Sequence, residues 1–139
     1  MKSDEIIIKT LPKDLKDLIV SKQLDEVIHY FIDNNIEETK YAYILSSMAN
    51  QYDTVEYHEM AGSIFHIHFN YIEEAYYMAF YHYWQSLEIT NFNNAKLLEE
   101  FLDIIEEPDF DIISEDYIKH VAKKLLENDP SNSKAKKLL

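Results

Sequence analysis

The stretch 57-YHEMAGSIFHIHFNYIEEAYYMAFYHYW-84 gathers four of the chain's six histidines, three glutamates and six of its eleven tyrosines. Such a mixture is either a metal or catalytic centre or the aromatic interior of a helical array. Its periodicity favours the array. Ala75, Ala79, His82 and Ser86 recur at helical spacing as a small-residue stripe that admits a close neighbour. Tyr76, Phe80, Tyr83 and Leu87 form a bulky stripe beside it. With Tyr77, Tyr81 and Trp84 on the remaining sides, this segment is aromatic almost all round, as a central helix is.

Outward from that segment the helical pattern continues. Leu15, Leu18 and Ile19 share a face after Leu11-Pro12, and Leu24, Val27, Ile28, Phe31 and Ile32 repeat in the same way. Helices are expected near 37–51, from the capping pair Asp53-Thr54 to Phe69, and from Tyr71 to Ile89. Others are expected from Ala95 to Glu106, stopped at Glu107-Pro108, and from the Ser114 cap to Asn128. Asp129-Pro130 reads as the cap and first position of a short last helix. Short loops between them predict an all-α fold of about seven to eight helices, stacked as antiparallel hairpins in one domain over 1–139, with 1–10 a candidate disordered terminus.

Composition supports the same class. At 139 residues and 47% hydrophobic, the chain is long enough to bury a core. A single glycine, Gly62, is too few for a β-sandwich or a phosphate-cradling loop. No cysteine means no disulfide, thiol chemistry or cysteine-bound zinc. No apolar run reaches the ~20 residues of a membrane span, and the N-terminus lacks a signal-peptide pattern. A cytoplasmic protein is the expectation.

The charge is uneven. All thirteen basic residues are lysines, which removes arginine fingers and bidentate arginine clamps from consideration. Net charge is −13, and no lysine lies between Lys96 and Lys119, where Glu99, Glu100, Asp103, Glu106, Glu107, Asp109, Asp111, Glu115 and Asp116 fall. From Lys119 onward six lysines face two acids. Direct nucleic-acid binding is disfavoured, because phosphate attraction needs a basic face. Such a run is usually a solvated face; its functional counterpart is a docking surface for a basic protein.

Imidazole and carboxylate are metal ligands, so His58, His66, His68 and His82 with Glu59, Glu73 or Glu74 could in principle form a metal-dependent helical enzyme. The spacing opposes it. None of these histidines has a histidine or an acid three or four residues away, the offset that puts two ligands on one helix face. His66 and His68 point about 200° apart on a helix. Convergence would require separate helices, and the expectation is that these rings scatter among the aromatic residues. His29, flanked by Asp25, Glu26 and Asp33, and His120, with Asp116 one turn before it, read as exposed surface pairs. No serine–histidine arrangement or nucleophile elbow is recognisable, so no catalytic residue, metal or cofactor is expected.

Nine tyrosines fall between Tyr41 and Tyr83. Tyrosine fills the edges of a small core and also serves binding surfaces, because a rigid ring carries a hydrogen-bonding tip. Tyr76, Tyr77, Tyr81 and Trp84 are the candidate aromatic contacts of a partner, and the acids from Glu99 to Asp111 the candidate electrostatic ones.

The segment 79-AFYHYWQSLEITNFNNA-95 resembles the second-helix half of a tetratricopeptide repeat. Ala79 matches the small first position, Tyr83 the aromatic one, Ser86 the next small one and Leu87 its neighbour; Asn91 stands where the family has its helix-ending proline. The stretch 118-IKHVAKKLLENDPSNSKAKKLL-139 is similar through Leu126, Pro130, Asn132 and Ala135, and 24-LDEVIHYF-31 is a third, degenerate copy. The resemblance implies an α-solenoid that binds peptides or proteins, without catalysis. The chain is therefore read as a non-enzymatic, acidic protein-binding module, expected as a monomer. Its most concrete form is an immunity-type protein that neutralises a basic toxin such as a nuclease. The alternatives are the metal-dependent enzyme above and a structural homo-oligomer subunit.

Overall fold

A computed structural model describes residues 4–139, with side chains from Ile6 onward. The described residues are helical throughout their regular structure and contain no strand. The chain divides into two compact units at Tyr83/Trp84.

The first unit carries α1 (Asp4–Ile8), α2 (Lys13–Val20), α3 (Leu24–Asp33), α4 (Lys40–Tyr52), α5 (Val55–Ser63) and the first part of α6 (Ala75–Ile89). Within the candidate disordered terminus, α1 buries Ile8, and residues 1–3 lie outside the described part. Sequence neighbours pack as spatial neighbours: α2 on α3 and α4 on α5. Leu15 and Ile19 of α2 and Val27 and Phe31 of α3 are all buried, as their spacing requires. The Phe31 ring is edge-on to Tyr41 at 5.9 Å and to Phe69 at 5.7 Å. Ile32, by contrast, is exposed.

The expected helix from Thr54 to Phe69 is two structures in series. Thr54 caps α5, its Oγ1 accepting from the Tyr57 amide at 3.3 Å. After Ser63 the chain widens into a π-helical turn, Ile64–His68, closed by the Phe69 amide donating to the Ile64 carbonyl at 2.8 Å. Gly62 stands just before it because the Tyr83 ring lies on its backbone: a Cβ there would meet Tyr83 Cε1 at 2.7 Å. The following helix begins at Ala75 rather than Tyr71, since Glu74 takes a left-handed φ of 65°. With one glycine in the whole chain, other residues perform this turning role; Lys22, Asn35, Asp53, Asn91 and Phe92 also have positive φ.

The second unit holds the end of α6, α7 (Ala95–Ile105), a 3-10 turn (Pro108–Phe110), α8 (Glu115–Asn128) and α9 (Ser133–Lys137). Asn94 and Ser114 cap α7 and α8 through their side-chain oxygens. Leu98, Phe101, Leu102 and Ile105 of α7 and Val121, Ala122 and Leu125 of α8 form its core, closed by Phe110. The last helix starts later than expected. Asn132, not Asp129, is its cap, accepting from the Ala135 amide at 3.0 Å, while Asp129 to Asn132 form the preceding turn.

Candidate functional site

The first unit contains a chain of four polar side chains, three of them buried, drawn from three helices. Ser46 sits in the middle of α4, Asp53 at its left-handed C-terminal end, His58 in the second turn of α5 and His82 on α6. Ser46 Oγ lies 2.7 Å from His82 Nε2, His82 Nδ1 lies 3.0 Å from His58 Nδ1, and His58 Nε2 lies 2.8 Å from Asp53 Oδ1. His82 is fully buried, His58 is 1% exposed and Ser46 7% exposed, whereas the Asp53 side chain is 62% exposed. The chain thus runs from the interior to the surface. Its walls are aromatic: the Phe65 ring stacks parallel to His82 at 6.4 Å, and Tyr81 meets it edge-on at 4.9 Å.

Chemistry fixes the direction of these bonds. A carboxylate only accepts, so His58 donates from Nε2. A neutral His58 then accepts at Nδ1, which makes His82 the donor there and leaves His82 Nε2 to accept from the Ser46 hydroxyl. All four ring nitrogens are occupied. Burial, reinforced by the neighbouring His58, pushes the His82 pKa down to about 3, so His82 is neutral at ordinary pH.

This overturns two expectations. The histidines do not all scatter: His58 and His82 converge because α5 and α6 bring them together across 24 residues. A serine–histidine pair also exists, spanning 36 residues between α4 and α6. The only sequence signal was the small-residue stripe: Ala75, Ala79 and Ser86 are buried, and His82 lies with them. Asp53 lies five residues before His58 and escapes an i±3 or i±4 search, yet its left-handed turn folds it back onto the ring.

The arrangement shares nucleophile–base–orienter order with acyl-transfer sites. Ser46, however, is shut from solvent in mid-helix, and the amides around it are committed to the helix itself.

The other candidate ligands are elsewhere. His66 Nδ1 faces the Tyr83 hydroxyl at 3.3 Å, and His68 Nε2 donates to the Ile36 carbonyl at 2.6 Å. Glu73 and Glu74 are exposed and Glu59 is half-buried. Among the described residues, no group of three or more His, Asp or Glu side chains is arranged to hold a metal.

The candidate partner contacts fall in both units. In the first, Tyr77 and Tyr81 are exposed and Tyr76 half-buried, with the Tyr81 hydroxyl donating to Asn50 Oδ1 at 2.8 Å. In the second, Trp84 is half-buried among Tyr117, Phe92 and His120, at 5.1, 5.2 and 5.8 Å between ring centres. His120 is exposed, as expected, and its ring also joins this aromatic cluster. His29 is exposed.

Glu99, Glu100, Asp103, Glu106, Glu107, Asp109 and Asp111 are all exposed. Lys134 of α9 reaches back to Asp103 and, at 3.1 Å, to Glu106. The lysine-rich end is thus folded against the acidic run in its own unit and neutralises part of it. Lys96 sits 3.9 Å from Glu100.

No protein-family model, no curated protein and no solved structure matches the chain. No described helix is long and apolar enough to cross a membrane.

Proposed function

We propose that this is a non-enzymatic, tetratricopeptide-like helical module that docks on a basic protein. In its most concrete form it is an immunity-type protein that covers the active site of a basic toxin such as a nuclease. The observation that carries this reading is the two-sided character of α7 and the turn after it. Leu98, Phe101, Leu102, Ile105 and Phe110 are buried, while seven acids over the same stretch point to solvent. Apolar residues hold the segment in place, and the acids lie on its solvent side. A rigid array of like charges raises the encounter rate with an oppositely charged surface, and does so less as salt screens it. Lys134 pairs with Asp103 and Glu106, and Asp109 and Asp111 are exposed further along the run. Exposed Tyr77 and Tyr81 offer rigid short-range contacts on the first unit.

The test begins with capture from the source cell at low salt and identification of what elutes as salt rises. The eluted partner is then purified and titrated against the chain. A 1:1 complex that weakens with salt, and weakens further in Asp109→Lys/Asp111→Lys, agrees with the proposal. Salt-insensitive binding, or binding confined to neutral peptides, overturns it.

A further inference from the structure

The Ser46–His82–His58–Asp53 chain is more than a satisfied set of core groups, because its two facing Nδ1 atoms can share only one proton. At 3.0 Å one nitrogen must donate and the other accept. We propose that this chain is a proton-operated latch that fastens the first part of α6 to α4 and α5.

In the neutral state every bond points outward from the core: Ser46 to His82, His82 to His58, His58 to Asp53. A proton that reaches the chain from the exposed Asp53 end settles on His58 Nδ1, the acceptor in the middle. Two N–H groups would then confront each other at the same contact. The conflict is relieved if His82 moves its own proton from Nδ1 to Nε2. His58 Nδ1 now donates to His82 Nδ1, His82 Nε2 donates to Ser46 Oγ, and the Ser46 hydrogen turns to a carbonyl of its own helix, as helical serines do. One proton has entered and none has left; the cation on His58 is paired with the Asp53 carboxylate at 2.8 Å. A second proton has no place, because two imidazolium rings would face each other in the dry interior. That state separates α6 from α5. The strong downward push on His82 has the same origin, burial first and the His58 ring second.

Charged and titratable groups approach the pair from each helix around it. Asp53 comes from α4 and Tyr81 from α6; on α5, Glu59 follows His58 and is half-buried. One layer out, Lys22 lies over the Tyr57 ring at 5.6 Å. The π turn contributes the apolar Phe65.

Two measurements on the full chain test the latch. Nitrogen-15 NMR of the histidine rings reads the tautomers directly. At neutral pH the expected result is His82 protonated at Nδ1 and His58 at Nε2, and the reverse assignment overturns the proposal. Amide hydrogen exchange over residues 75–83 is then followed from pH 7 to pH 4, after correction for the intrinsic rate. Protection should fall at least tenfold in the wild type and clearly less in His58→Asn, whose amide oxygen can accept from His82 without titrating, so that only the burial of His82 is left to respond to pH. Equal loss of protection in both proteins refutes the latch. Should His58→Asn not fold, Ser46→Ala keeps both rings and removes only the hydroxyl. It is expected to leave His82 protonated at Nδ1, because Asp53 and His58 still set that bond, and a move of the proton to Nε2 refutes the chain's direction.

Discussion

His58 and His82 meet Nδ1 to Nδ1 at 3.0 Å, with both rings closed off from solvent. Each satisfies the other, so neither can be removed alone without leaving a buried polar group unmet. His58→Ala strands the His82 Nδ1–H at a cost of about 1–3 kcal/mol, and the cavity adds to it. His82→Ala strands His58 and Ser46 together. A double-mutant cycle in urea should show the pair to be non-additive by about 1 kcal/mol or more. Additivity within a few tenths would mean the two rings hold their places independently.

The low pKa of His82 makes stability depend on pH in a definite direction. The group titrates near 6.5 when unfolded and near 3 when folded. Between those values the unfolded chain binds a proton that the folded one refuses, so the unfolded state gains as pH falls. The contribution is intact above pH 6.5 and lost progressively between 6.5 and 3, with a slope approaching about 1.4 kcal/mol per pH unit from this group. Urea melts from pH 7.5 to pH 4 read that slope. His82→Gln should flatten it; a slope unchanged in His82→Gln places the acid sensitivity elsewhere.

Much of the helical pattern was legible, because burying one face of a helix demands 3.6-residue periodicity and the chain keeps it at Leu15/Ile19, Val27/Phe31 and Leu98/Leu102/Ile105. The turns were less legible. Glu74, Lys22 and Phe92 adopt the left-handed backbone that glycine or asparagine would advertise, and nothing in those residue types announces it. The π turn at Ile64–His68 was invisible for a similar reason, since nothing in the residue types Ile-Phe-His-Ile-His announces a widened turn. The buried chain was illegible because it is assembled from residues 36 and 24 positions apart, and an offset rule for one helix cannot see two. Lys134 was placed only by α9 folding back, so the acidic run looked wholly unbalanced until then.

Lys134 bonds to Asp103 and Glu106, and hydrogen bonding to Asp103 is the main cause of its raised pKa. A lysine with a raised folded pKa contributes stability at neutral pH that disappears only in strong alkali. The pairs face solvent, so the contribution is small. Lys134→Met should cost about 0.5–1 kcal/mol at low salt and less at high salt. Faster exchange of the α9 amides in the same variant would trace the loss to that helix. If α9 exchange is unchanged, burial of Ala135 and the Asn132 cap hold it without the lysine.

Gly62 offers the sharpest contest between local preference and packing. In an open helix, alanine in place of glycine stabilises by about 1 kcal/mol. Here the new methyl would lie 2.7 Å from Tyr83 Cε1 and 2.9 Å from Cδ1. That ring is 8% exposed, and its hydroxyl lies 3.3 Å from His66 and 3.4 Å from Ser63. The ring is buried and tied at its hydroxyl to two neighbours, so it cannot swing clear cheaply, and overpacking of this kind costs about 1–3 kcal/mol. Packing should win, and Gly62→Ala should lower the urea midpoint. Tyr83→Leu makes room at the same spot, so adding Gly62→Ala to Tyr83→Leu should lose much less than it does in the wild type. A midpoint that rises in Gly62→Ala alone would show that the ring yields, and that the single glycine of this chain is not there to accommodate it.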